Sequence, residues 1–269
     1  MDNRPIGVFD SGLGGLTAVA EIRRILPSEN IIYFGGTSRV PYGGRSREIL
    51  LKYARQDVAF LRSFDIKAIV VACGTVSTTA LPLLRRENDL PLLGVVEPAC
   101  RLAVELSRSK KIGMIATAAS VRSDTYERVI RGMDADVQVI SRACPLFVPL
   151  VENGRFRRGD TVIETVAREY LEPLKYEGID TLILGCTHYP LLTDVITDVM
   201  GAGVALINAG AEAAWELKRT LTADDMLAED RPGETTLYAS DLSGDFRELA
   251  GRFLQERVSQ VFRVDIDRY

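Results

Sequence analysis

Two cysteines stand where a thiol could move a proton. Cys73 closes the apolar run 68–73 and is followed by Gly74-Thr75, while Cys186 closes 182–186 and is followed by Thr187-His188-Tyr189-Pro190. Thr75 is placed to cap a helix after the first run, and Pro190 suits the first turn of a helix after the second. A helix start carries unpaired N–H groups and positive potential, which lower a thiol pKa from about 8.5. Both sulfurs are therefore expected to be partly thiolate near neutral pH. Free cysteines more often fill cores as small apolar residues, and Cys100 and Cys144 are read that way. Cys73 and Cys186 are not, because each stands at a strand end beside polar loops.

Further polar residues collect at the same kind of position. His188, the single histidine, lies two residues past Cys186, and Glu152, expected in a loop after Pro149, could tune it. Asp10-Ser11-Gly12-Leu13-Gly14-Gly15 follows the first apolar run as a glycine-rich turn, suited to a carboxylate or phosphate at a helix start. The loop 35–45 (GGTSRVPYGGR) is long enough to be functional, and Tyr42 either packs there or closes a site mouth.

Positioning these residues falls to an alternating pattern. Short Val/Ile/Leu runs at 6–9, 31–34, 68–73, 92–96, 112–116, 137–140, 182–186, 204–207, 236–239 and 261–264 read as strands buried on both faces. Leu50, Ala54, Val58 and Leu61 behind Ser46 read as a capped, core-facing helix, and Val162, Val166, Tyr170 and Leu174 as the inner face of another over 160–176. The fold class is α/β, with mostly parallel sheets flanked by helices. Residues 66–73 (IKAIVVAC) align without a gap on 179–186 (IDTLILGC), 6–9 (IGVF) on 112–115 (IGMI), and Val40-Pro41 on Val148-Pro149. This echo predicts two duplicated domains, 1–97 plus 208–269 and 98–207, with the site in the cleft between them.

Composition narrows the partners. A chain of 269 residues, 46% hydrophobic, can bury its own core without staples. A formal charge of -4 offers no footprint for nucleic acid, and Arg155, Arg157 and Arg158 read as a solvated loop. No run suits a signal peptide or a membrane span, so a cytoplasmic protein is expected. The four cysteines form no CxxC pair, which disfavours zinc and disulfides.

Four motifs, GVFDSGLGGLT from Gly7, YFGGTSRVPYGGRS from Tyr33, VVACGTVS from Val70 and GCTHYP from Gly185, resemble in order and spacing those of the glutamate racemases of the aspartate/glutamate racemase superfamily. The resemblance spans essentially the whole chain. It implies cofactor-independent interconversion of L- and D-glutamate, with Cys73 serving one enantiomer and Cys186 the other, assisted by Asp10, Glu152 and His188. It further implies a substrate lined by Asp10, Ser11, Pro41, Tyr42, Gly43, Gly74, Thr75, Thr117, Ser120, Thr187 and His188, with no metal, a homodimer and a role in peptidoglycan supply. No N-terminal extension of the kind tied to control by a cell-wall precursor is expected. The family usually has Asn at Gly74, an acidic residue at Gly36 and threonine at Ser120. A racemase of aspartate or another amino acid shares the thiol pair and is one alternative. A silent amino-acid sensor in the same cleft is the other.

Overall fold

The computed structural model describes residues 1–242 and 246–269. Its ten strands are β1 Ile6–Asp10, β2 Ile31–Gly35, β3 Ala68–Val71, β4 Leu92–Gly94, β5 Lys111–Ala116, β6 Gln138–Ala143, β7 Thr181–Leu184, β8 Ala205–Asn208, β9 Thr235–Ala239 and β10 Phe262–Arg263. Helices run α1 Leu16–Ile25, α2 Arg47–Arg62, α3 Gly74–Thr79, α4 Leu81–Glu87, α5 Val96–Leu106, α6 Ala118–Arg122, α7 Thr125–Met133, α8 Phe147–Glu152, α9 Thr161–Tyr176, α10 Thr193–Met200, α11 Ala209–Ala223 and α12 Phe246–Leu254.

The strands form two parallel sheets, ordered β10-β9-β2-β1-β3-β4 and β6-β5-β7-β8. Runs such as IGVF, AIVV and TLIL are buried on both faces, as parallel strands covered by crossover helices must be. Without β10 and β9, the first sheet has the order of the second, with β1 matching β5 and β3 matching β7. The sequence echo agrees down to register: Ile6 pairs with Ala68, and their counterparts Ile112 and Thr181 pair with each other. Gly7 makes room for Ile66, and Gly113 makes room for the equivalent Ile179. The third match falls in equivalent loops, after β2 and β6, but the two prolines differ in conformation. Pro41 lies in extended backbone between two 3-10 turns, whereas Pro149 sits inside α8.

Local expectations hold in kind and shift in detail. Ser46 caps α2, its hydroxyl accepting from Ile49 N–H at 3.4 Å, and Leu50, Ala54, Val58 and Leu61 are buried. Asp160 caps α9 in the same way at 3.0 Å. Of the expected face of α9, Tyr170 and Leu174 are buried and Val166 is partly buried, while Val162 is exposed and Ile163 and Ala167 take the inner position at the start of the helix. The run 92–96 is not strand throughout: β4 stops at Gly94, and α5 begins at Val96 with Glu97 and Pro98 in its first turn, where both are favoured.

The end of the chain returns to the first sheet, where β9 pairs with β2. A fully buried ion pair anchors this return: Lys67 Nζ lies 2.6 Å from Glu29 Oε2 and donates to the carbonyls of Asp2 and Met226 at 2.6 and 2.7 Å. The other Glu29 oxygen accepts from Ala228 N–H at 2.9 Å. Lys67→Met would strand Glu29 without a counterion, so urea unfolding should show a loss of about 3–5 kcal/mol. An unchanged midpoint would mean that the pair anchors nothing.

Candidate active site

Both thiols leave a sheet at the same structural point. β3 and β7 end two residues before Cys73 and Cys186, and each chain then makes one more equivalent bond: Ala72 N–H to Phe9 O at 3.0 Å, and Gly185 N–H to Ile115 O at 2.8 Å. The carboxyl ends of β1, β3, β5 and β7 thus bring their loops together. Thr17 Oγ1 donates across the halves to Thr187 O at 2.8 Å, and the Thr75 and Thr117 hydroxyls lie 3.0 Å apart. Gly14 packs against Thr187 and His188, and Gly43 against Thr117.

Cys73 is itself the cap residue of α3, and Thr75 lies inside the helix rather than capping it. Its Sγ–H donates to Ser11 Oγ at 3.6 Å. The expected drop in thiol pKa is reversed here. Burial, reinforced by the charge of Asp10, pushes Cys73 up to about 12, and the bonds from Val76 N–H and Ser11 recover only part of this. A helix of six residues cannot outweigh removal of the sulfur from water. Asp10 is fully buried; burial raises its pKa, and the charge on His188 opposes that rise. One of its oxygens accepts from Gly12 N–H at 3.0 Å, and the other has no partner among the described residues.

Cys186 stands on a different support. Its Sγ lies 3.9 Å from His188 Nδ1, and His188 Nε2 lies 3.1 Å from Glu152 Oε1. Glu152 reaches this position from the last turn of α8, not from the loop expected of it. Burial alone would lower the His188 pKa, but its bonds to Cys186 and Glu152 and their charges raise it to about 10. These partners favour the protonated imidazole, which packs edge-on against Phe253 of α12 at 5.2 Å. Pro190 opens a 3-10 turn, Tyr189–Leu192, ahead of α10.

The remaining predicted residues gather around these two loops with different exposure. Ser120 is buried and lies 3.2 Å from Thr117 Oγ1 within the cap of α6. Tyr42 is buried with its hydroxyl lacking a partner among the described residues, whereas Pro41 is exposed. Around Tyr42 lie residues that pattern reading passed over. Arg39 stacks on Tyr53 at 4.4 Å and donates to Asp267 at 2.5 Å. Asp57 is fully buried without a partner among the described residues, and burial holds its pKa well above the carboxylate range against the opposing charge of Arg39. Its signal was available in the sequence, as an aspartate between Ala54 and Val58 on the core face of α2. Next to Cys186, a cavity of about 10 Å³ lies between Thr17, Gly74, Gly185 and Asn208, room for about one water. The Arg155–Arg158 loop is solvated, with Arg158 paired to Asp198.

The family model described as Asp/Glu/Hydantoin racemase matches residues 26–217. A glutamate racemase of Geobacter metallireducens is 41% identical over 98% of this chain and 97% of its own length. The structure of Francisella tularensis glutamate racemase in complex with D-glutamate superposes with a TM-score of 0.93 at 37% identity, covering 100% of both chains. That of the Thermus thermophilus enzyme with beta-chloro-D-alanine gives 0.89 at 43% identity, again covering 100% of both chains.

The His188 arrangement has a pH signature. A histidine raised from 6.5 to about 10 on folding contributes stability that is complete below pH 6.5 and lost as pH climbs toward 10. The stability difference between wild type and His188→Gln should therefore shrink across that window in urea titrations. A difference independent of pH would show that the ring is neutral.

Proposed function

The chain belongs to the Asp/Glu/hydantoin racemase family and is an amino-acid racemase, and from that premise we propose that it interconverts L- and D-glutamate through Cys73 and Cys186. The observation that supports this most is the equivalence of the two sulfurs. They follow matched strands of matched sheets, so a substrate between the halves would meet one thiol on each face of its α-carbon.

In the proposed reaction, one cysteine takes the α-proton as thiolate while the other, as thiol, gives a proton to the opposite face. The reverse direction exchanges their roles. The α-proton is a far weaker acid than a thiol, and each pKa unit of mismatch costs about 1.36 kcal/mol. A buried sulfur with a pKa near 12 is a stronger base than an exposed one, which narrows the gap without closing it. Backbone N–H groups at the loop ends would stabilise the charge that grows on the substrate carboxylate. Asp10 would act beside Cys73, and the His188–Glu152 pair beside Cys186. Ser11, Pro41, Tyr42, Gly43, Gly74, Thr75, Thr117, Ser120 and Thr187 are proposed to line the substrate.

Admission of glutamate to the cleft is proposed to involve the halves parting. Residues 98–207 are proposed to move as one unit against 1–97 plus 208–269, closing again to exclude water. The proposed cellular role is supply of D-glutamate for peptidoglycan from the cytoplasm, by a homodimer. Among the described residues, no helix is long and apolar enough to cross a membrane.

Incubation with either glutamate enantiomer in heavy water, followed by chiral chromatography, should yield both enantiomers carrying deuterium at the α-carbon. Cys73→Ser and Cys186→Ser should each cut racemisation by about 10³-fold, within the range for loss of a general acid or base. Each variant should retain exchange with a single enantiomer, opposite in the two cases. Exchange with aspartate alone would instead favour the aspartate reading, and no exchange with any amino acid the sensor reading.

A further inference from the structure

Around the Tyr42–Gly44 turn lies a group of buried polar atoms that the proposed chemistry leaves unused. Asp57 is fully buried on the core face of α2, and neither of its oxygens has a partner among the described residues. The Tyr42 hydroxyl and Arg39 Nη1 are buried in the same condition. One aromatic ring ties these three side chains together. Tyr53 packs on the Tyr42 ring at 5.6 Å and under the Arg39 guanidinium at 4.4 Å, and it stands one helical turn before Asp57 on the same face of α2. The electrostatics agree with this placement. Burial raises the pKa of Tyr42 first and the charge of Asp57 next, while burial raises that of Asp57 against the charge of Arg39. On another side the Tyr42 hydroxyl faces Gly36, which has no side chain to offer it; a Cβ there would lie 2.9 Å away.

Unpaired buried polar groups are costly, and a hydroxyl and a protonated carboxyl each carry both a donor and an acceptor. We propose that Asp57 is a positioning residue: its carboxyl and the Tyr42 hydroxyl satisfy each other with at most one ordered water between them, and this buried pair holds the Tyr42–Gly44 turn where it forms a wall of the substrate cleft. The turn reaches the other half of the molecule, since a Cβ on Gly43 would lie 3.3 Å from Thr117 Cβ. The proposal rests on the reading that Tyr42 and Gly43 line the substrate, and deepens it. The pair supports a binding wall rather than a thiol, so its loss weakens substrate and transition-state binding alike and appears in KM rather than kcat.

A double-mutant cycle tests the pair. Asp57→Leu and Tyr42→Phe each leave one buried group without its partner, whereas the double variant leaves neither. Urea unfolding should show both single variants less stable than wild type, and the double variant losing no more than the larger single loss. In racemisation assays each single variant should raise KM for both enantiomers by about 10-fold, the equivalent of one net hydrogen bond, with kcat within about 3-fold of wild type. Asp57→Asn, whose amide keeps donors and an acceptor, should bring KM back to within about 3-fold of wild type. Additive losses in the unfolding cycle overturn the proposal, as does an Asp57→Leu protein with wild-type KM or an Asp57→Asn protein as impaired as Asp57→Leu. Failure of Asp57→Leu to fold also overturns it, because the core face of α2 should accept an apolar side chain. If wild type does not racemise glutamate, the functional reading fails on its own, and the unfolding cycle still decides whether Asp57 and Tyr42 are paired.

Discussion

A parallel sheet ends all its strands on one edge, and in this chain two such edges face each other. The constraint reaches from covalent order to chemistry. Matched register in β1–β3 and β5–β7 delivers Cys73 and Cys186 at the same height above their sheets, and bonds from Ala72 and Gly185 fix the loops that carry them. Facing loops from two copies of one unit give two similar groups on opposite sides of a shared cleft. The two-base inversion proposed for this protein would use that arrangement.

The two halves have nevertheless diverged where the chemistry needs tuning. Cys73 is buried against Ser11 and feels the charge of Asp10, with no cation in contact among the described residues, and burial raises its pKa. Cys186 sits beside His188, whose other nitrogen faces Glu152 and whose protonated form these partners favour. The same position in the fold thus carries two electrostatic environments. The His188 side also depends on the C-terminal return, since Phe253 of α12 packs on the ring. Lys67 and Glu29 anchor the path by which that segment comes back.

Much of this was legible in the sequence because strands buried on both faces leave unbroken apolar runs. Two such runs ending in cysteine, at matching places in an internal echo, pointed to the cleft. Three kinds of feature were not legible. Helix phase was ambiguous in α9, where Val162 and Ile163 are equally apolar and only packing decides which faces inward. Helix starts after a strand were misplaced by a residue or two, because Cys73 rather than Thr75 is the residue at the cap position. The sign of the Cys73 shift was misread, since local reasoning sees a helix start but not the burial that a facing domain imposes. Long-range pairs such as Lys67 with Glu29, or His188 with Phe253, leave no trace in local pattern.

The central claim is geometric: two sulfurs address one carbon from opposite faces. A crystal structure of the complex with glutamate measures this directly. The account predicts both sulfurs about 3.5 Å from the α-carbon, one on each side of it, at the separation of a near-attack arrangement. A complex in which only one sulfur approaches that carbon, or in which both approach the same face, would contradict it.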